Sequence, residues 1–289
     1  MIKSLVVIGC PKVTLYMNQT STDISQHIFH TQVAGCRLRV KHIEPVVPGK
    51  SLQKPTLVFL HEGLGCIELW RDFPEVVCAA TACNGLVYDR KGYGGSDPYD
   101  GPWPFDYLFK ESEVYLPGLL KNCDLKHVVL FGHSDGGTIA LLSATANSSR
   151  VRGVITEAAH IFVELSTLTG IRDAVKAYEA GDLKARLARY HGENTETVFR
   201  RWADRWLSPD FFDWNIEPHL PKVTCPLLAL QGENDEYGTA RQLQGIAAGV
   251  SGPVEAKLLP GCGHVPHVQA RSVVLNEMIR FINSLHPIL

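Results

Sequence analysis

Val128-Val129-Leu130-Phe131-Gly132-His133-Ser134-Asp135-Gly136-Gly137 is the stretch on which the fold turns. Its four leading apolar residues read as a strand buried on both faces. Gly132 to Gly137 then reads as a sharp turn, and Gly136 to Ala146 as a helix. A serine held in such a turn has a strained backbone, so its neighbours must be small, and Gly132, Gly136 and Gly137 meet that need. The turn lifts the hydroxyl clear of the sheet. It also sets the next backbone N–H, that of Asp135, at a helix N-terminus, where a developing anion is favoured. Ser134 is therefore the candidate nucleophile and the Asp135 N–H a candidate oxyanion donor.

A serine hydroxyl attacks only with help from a base that a third group holds in place. Two later strand ends supply both. Gly232-Glu233-Asn234-Asp235 follows the apolar run Pro226 to Gln231, and Gly261-Cys262-Gly263-His264 follows Glu255 to Leu259. Asp235 is the preferred acid, because a Gly-x-x-Asp turn lets a short carboxylate reach back across the strand ends. Glu233 and Glu236 are its local rivals, and Glu157, at the end of the strand Val151 to Glu157, is a distant one. His264 is the preferred base. His267, three residues on, reads as a capping or surface residue at the last helix, and His61 and His133 read as structural. The second oxyanion donor is expected in His61-Glu62-Gly63-Leu64-Gly65, at the Gly63 N–H with Leu64 as the alternative.

Outward from these turns the chain alternates. Strand-like runs at 27–32, 36–44, 55–61, 86–89, 128–131, 151–157, 226–231 and 255–259 are separated by helical stretches at 70–82, 107–122, 136–146, 238–250 and 268–285. Such alternation implies an α/β fold, here a mostly parallel eight-stranded sheet with helices on both faces. Residues 161–221 break the pattern with amphipathic helices and the aromatic cluster Phe211, Phe212 and Trp214. An all-helical block in an α/β chain reads as a cap over the carboxyl edge of the sheet, although aromatics at helical spacing are more often core than pocket. The expected organisation is an N-terminal extension at 1–27, with a polar irregular lead-in from Lys12 to Gln26. The core follows at 28–160, an inserted helical cap at 161–221, and the rest of the core at 222–289. Glu62, Leu64, His160, Trp202 and Trp206 are the candidate substrate contacts.

The 289 residues carry 28 basic and 30 acidic groups, a balance that calls for no nucleic-acid or membrane-surface partner. No run approaches the ~20 apolar residues of a membrane span. The apolar run Leu5 to Cys10 is shorter than a usual signal-peptide core and is stopped by Pro11. Eight scattered cysteines with no Cys-x-x-Cys pair read as free thiols in a reducing compartment, hence a cytoplasmic protein. The expected partner is a small-molecule ester, with no metal and no cofactor, and the chain is expected as a monomer or homodimer.

Together HEGLG, YDRKGYGGSD (Tyr88 to Asp97), GHSDGG, GENDEYG and GCGHVPH resemble the α/β-hydrolase superfamily across nearly the whole chain. The combination looks like a carboxylesterase-like serine hydrolase, and GHSDGG is similar to the elbow of the biphenyl-hydrolase-like (valacyclovirase) group. The resemblance implies a Ser-His-Asp triad acting on an ester, lactone or thioester. The same triad also serves carbon–carbon bond hydrolysis and cofactor-free perhydrolysis, and some proteins of this fold are ligand receptors with little turnover. Ser134 in place of an elbow aspartate argues against haloalkane dehalogenase and epoxide hydrolase chemistry. Two departures stand out. Glu62 replaces a frequent glycine at the oxyanion loop, and Asp135 follows the nucleophile. The resemblance implies an amine-binding role for Asp135, with capping of the nucleophile helix as the alternative.

Overall fold

A computed structural model describes residues 6–7, 23–46, 54–146 and 149–285. At the centre of the sheet, β4 (Thr56–Leu60) and β6 (Val128–His133) are buried at every position. They pair in parallel, Leu57 opposite Val129 and Leu60 opposite Gly132. Because side chains alternate along a strand, Val58, Leu60, Val128 and Leu130 feed one core layer. Leu57, Phe59, Val129 and Phe131 feed the other. The first layer is closed by α3 (Leu116–Asn122), α4 (Asp135–Ala146) and α8 (Ala240–Gly249). The second is closed by α1 (Phe73–Thr81) and α10 (Arg271–Ser284).

Parallel strands β7 (Val151–Glu157), β8 (Leu227–Gly232) and β9 (Val254–Leu259) extend the sheet on one side. On the other side lie β5 (Gly85–Tyr88), parallel to β4, then the antiparallel hairpin β2 (Ile24–Val33) and β3 (Cys36–Pro45). The expected eight-stranded, mostly parallel sheet with helices on both faces is therefore present. A two-residue strand β1 (Val6–Val7) adds a ninth member beside β9, giving the order β1-β9-β8-β7-β6-β4-β5-β3-β2.

Three elements differ from expectation. The polar lead-in ends sooner than its composition suggests, because Ile24, Ser25 and Gln26 pair with Pro45, Glu44 and Ile43. An edge strand needs ladder partners more than apolar side chains, and most of β2 is solvent-exposed. Lys12 to Thr22 lies outside the described residues. The helix expected across Tyr107 to Asn122 is built as α2 (Tyr107–Lys110), a π-turn at Glu111–Tyr115, and α3. Pro117, in the first turn of α3, cannot donate to the preceding carbonyls. The π-turn buries Glu111, whose Oε1 accepts from Tyr88 OH at 2.7 Å.

Between β7 and β8 run α5 (Leu165–Ala180), α6 (Leu183–His191) and α7 (Thr195–Leu207), with 3₁₀ turns after them. Tyr178 of α5 stacks on Phe199 of α7 with ring centroids 3.7 Å apart. The buried face of α7 is Val198, Phe199, Trp202, Ala203 and Trp206. The last helical stretch is split, α9 (Pro266–Gln269) standing ahead of α10. No described helix is long and apolar enough to cross a membrane.

Candidate active site

Ser134 sits between β6 and α4 with φ of 53°, the left-handed region that a side-chain-bearing residue rarely adopts. Packing enforces the turn. A Cβ on Gly132 would come within 2.0 Å of Gly136 O, and one on Gly136 within 1.9 Å of Leu60 O. The Ser134 N–H donates to Glu157 O at 2.8 Å, tying the turn to the end of β7.

Asp235 and His264 follow the carboxyl ends of β8 and β9, parallel strands on the same edge as Ser134. His264 Nδ1 lies 2.8 Å from Asp235 Oδ1. The carboxylate also accepts from the N–H groups of Tyr237 and Gly238 and from Gln231 Nε2. Burial works to raise its pKa, but the hydrogen bond and charge of His264, with His160 and the Tyr237 N–H, hold it below the ordinary aspartate value. The shift on His264 is the converse. Burial disfavours the imidazolium, yet Asp235, helped by Glu236 and Glu62, raises the pKa above the ordinary value. With Nδ1–H committed to Asp235, Nε2 is left as the basic nitrogen.

His267 is not the surface residue expected. It is buried, and its Nδ1 lies 2.7 Å from Glu157 Oε2, so the rival carboxylate has its own imidazole. The ring packs on Trp70 and Phe73, an apolar seat that the helix-entry position did not disclose. His133 bridges the two pairs. It lies edge-on to His267, and its Nε2 lies 2.7 Å from His264 O.

The loop after β4 is braced throughout. Glu62 O meets His61 Nδ1 at 2.7 Å and Arg90 Nη2 at 2.8 Å. Tyr93 OH donates to Gly63 O, and Leu64 N–H to Glu62 Oε2, each at 3.0 Å. His191 of α6 reaches in from above, its Nε2 2.8 Å from Leu64 O. With the Leu64 N–H already bonded to Glu62, Gly63 is the better placed of the two donor candidates. Among the described residues the Gly63 and Asp135 N–H groups meet no protein acceptor. Burial pushes the Glu62 carboxyl up to about 7.

Ser134, His264, Gly63 and Asp135 share one cavity of about 570 Å³ with all five expected substrate contacts, Glu62, Leu64, His160, Trp202 and Trp206. Trp202 lies against Gly63, where a Cβ would meet its indole at 2.3 Å. Trp206 turns its Nε1–H to Tyr107 OH at 3.0 Å. His160 Nε2 lies 3.2 Å from Tyr237 O, and its pKa is lowered, first by burial and then by His264. The Asp135 carboxylate turns to Tyr107 OH at 2.9 Å and lies 3.8 Å from Arg90 Nη1. Reading the sequence missed Arg90, Tyr93, Tyr107 and Tyr237. Arg90 and Tyr93 had a signal in the YDRKGYGGSD stretch and Tyr237 in GENDEYG, whereas Tyr107 had none. Cys66, Glu68 and Asp89 lie close enough to suggest a metal site. Asp89 already accepts from the N–H groups of Ile67 and Gly95 and from Arg39, so protein donors occupy it.

A family model described as the alpha/beta hydrolase family matches residues 57–277. Serine hydrolase BPHL of Homo sapiens is 31% identical over 159 residues, a match covering 52% of this chain and 53% of that protein. The chain thus spans about half the length of that curated relative. The 2-succinyl-6-hydroxy-2,4-cyclohexadiene-1-carboxylate synthase of Klebsiella pneumoniae (strain 342) is 28% identical over 218 residues, covering 71% of this chain and 74% of the synthase. The solved enol-lactonase from Burkholderia xenovorans LB400 aligns with TM-score 0.66 at 18% identity, covering 88% of this chain and 100% of its own. That likeness is one of fold.

Proposed function

Since the chain belongs to the alpha/beta hydrolase family, we propose that it is a serine hydrolase cleaving a carboxylic ester, lactone or thioester through an acyl-enzyme on Ser134. The observation that carries this is the 2.8 Å contact of Asp235 with His264, a residue on the wall of the cavity that also contains the strained Ser134. Ser134 Oγ attacks the carbonyl carbon while His264 Nε2 takes its proton, and the Asp135 and Gly63 N–H groups receive the oxyanion. Asp235 stabilises the imidazolium. His264 then protonates the departing alcohol or thiol, and water repeats the sequence on the acyl-enzyme.

Residues 161–221 act in this reading as a cap, supported by Ile171, Leu187, Trp202 and Trp206 on the cavity wall. The seven described cysteines are free thiols, which supports a reducing compartment such as the cytoplasm. Fluorophosphonate labelling followed by a p-nitrophenyl acetate burst, with Ser134→Ala as blank, tests the proposal. Labelling at Ser134 and a burst are expected. A chain that neither labels nor turns over is a ligand receptor, and the hydrolase reading fails. A panel of esters, lactones, aminoacyl esters and vinylogous diketones then assigns the bond cleaved.

A further inference from the structure

We propose that the buried guanidinium of Arg90 is the positioning residue of the oxyanion hole, aiming the Gly63 N–H and tethering the Asp135 turn; this rests on the acyl-transfer reading above. Arg90 lies two residues past the end of β5, after Asp89, and it is only 2% exposed. Its backbone N–H donates to His61 Nε2 at 3.2 Å, which leaves the His61 proton on Nδ1. That Nδ1–H and Arg90 Nη2 both donate to Glu62 O, at 2.7 and 2.8 Å.

Glu62 O and Gly63 N–H are the two ends of one peptide unit. No described peptide is cis, and in a trans unit the C=O and N–H point in opposite directions. The Gly65 N–H also donates to this carbonyl, at 3.1 Å, so three donors, of which Arg90 supplies the charged one, turn the Gly63 N–H away from Arg90. Gly63 is also on the wall of the cavity that holds Ser134. The next peptide is held at both ends, by Tyr93 OH on Gly63 O and by Glu62 Oε2 on Leu64 N–H, so the loop cannot relax by a concerted flip. A flipped Glu62–Gly63 unit would present a carbonyl oxygen where the oxyanion develops, and repel it.

The same guanidinium reaches the other donor. Its Nη1 lies 3.8 Å from Asp135 Oδ2, a Coulombic rather than hydrogen-bonding distance, while Tyr107 OH holds that oxygen at 2.9 Å. One cation therefore ties the loop after β4 to the turn after β6. Its charge also polarises the Glu62 carbonyl and strengthens the N–H at the far end of that peptide as a donor.

The test uses the full chain with Arg90→Lys, Arg90→Met, Asp135→Asn and the double variant Arg90→Met/Asp135→Asn. Burst kinetics on p-nitrophenyl acetate give kcat and KM, fluorophosphonate gives the labelling rate, and thermal melts report folding. Arg90→Met is expected to lose about 10²–10³-fold in kcat, the size of one oxyanion donor, with KM nearly unchanged. Arg90→Lys recovers part of this, since an ammonium can reach one partner but cannot span both. The double variant removes the uncompensated carboxylate, so it regains melting temperature without regaining kcat. Recovery of kcat to that of Asp135→Asn would make Arg90 a mere counter-ion and overturn the proposal, as would a folded Arg90→Met variant within about threefold of wild type. If Arg90→Met does not fold, the double and lysine variants decide alone. Wild type that fails to label at Ser134 instead overturns the acyl-transfer reading itself.

Discussion

Two histidine–carboxylate pairs stand side by side at the carboxyl edge of the sheet, with His133 between them. His264 meets Asp235 at 2.8 Å and His267 meets Glu157 at 2.7 Å. The imidazoles are three residues apart in the chain and their geometry is nearly the same. What differs is the surroundings. Asp235 accepts from two backbone N–H groups and a glutamine besides its histidine, whereas Glu157 Oε1 has no partner among the described residues. The His264 ring lies against Tyr237 and His160, while His267 is wedged on Trp70 and Phe73. A paired imidazole is thus not by itself a base. In the proposed mechanism the base is His264, the imidazole whose carboxylate is braced by further donors.

The largest test of this contrast replaces each histidine. His264→Gln is expected to lower kcat by roughly five to six orders of magnitude, and His267→Gln by less than about tenfold. His267→Gln instead leaves Glu157 buried and unpaired, at about 3–5 kcal/mol, which lowers the melting temperature by roughly 6–20 °C. Burst kinetics and thermal melts separate the two, and equal kinetic losses would erase the distinction. Next comes the acid. Asp235→Asn is expected to lower kcat about 10⁴-fold, and Glu157→Gln less than about tenfold. A larger loss in Glu157→Gln would move the acid role to β7.

The pH profile sharpens the contrast further. The proposed mechanism needs neutral His264, whose pKa lies above the ordinary 6.5. The kcat/KM of wild type should therefore climb as pH rises through a midpoint above 6.5, and Asp235→Asn should move that limb to lower pH. A wild-type midpoint at or below 6.5 would contradict the pairing. Stability follows the same groups with opposite senses. The raised His264 contributes fully below 6.5 and loses its contribution as pH rises through the folded value. The depressed Asp235 contributes fully above 3.8 and loses it as pH falls through the folded value. The melting penalty of His264→Gln should accordingly be widest between those two limits. The smallest effect belongs to Glu62, which helps to raise His264. Glu62→Gln should move the kinetic limb down by a few tenths of a pH unit, with kcat changed by less than about threefold.

Much of the fold was legible before any coordinates. The Val128 to Phe131 run, the glycines of the turn and the alternation of helical and strand periods are local signals, and local signals survive in one dimension. Ser134, Asp235 and His264 could be named because each follows a strand-like run through a glycine turn. Other features left no such trace. The start of β2 depends on pairing with β3, not on its own polar composition. The π-turn at Glu111–Tyr115 follows from Pro117 and a carboxylate that must reach Tyr88. His267 looked like a surface residue because nothing near it announces the partner 110 positions earlier, Glu157.

By itself the chain determined the order of its elements, the turn that strains Ser134 and the strand ends that Asp235 and His264 follow, because period, glycine placement and burial are written in neighbouring residues. Only the tertiary structure decided which imidazole meets which carboxylate, and that Arg90 holds the carbonyl behind Gly63. Those choices depend on distance across the sheet edge between residues far apart in sequence, where a carboxylate after β7 and one after β8 are chemically alike until packing gives each its own partner.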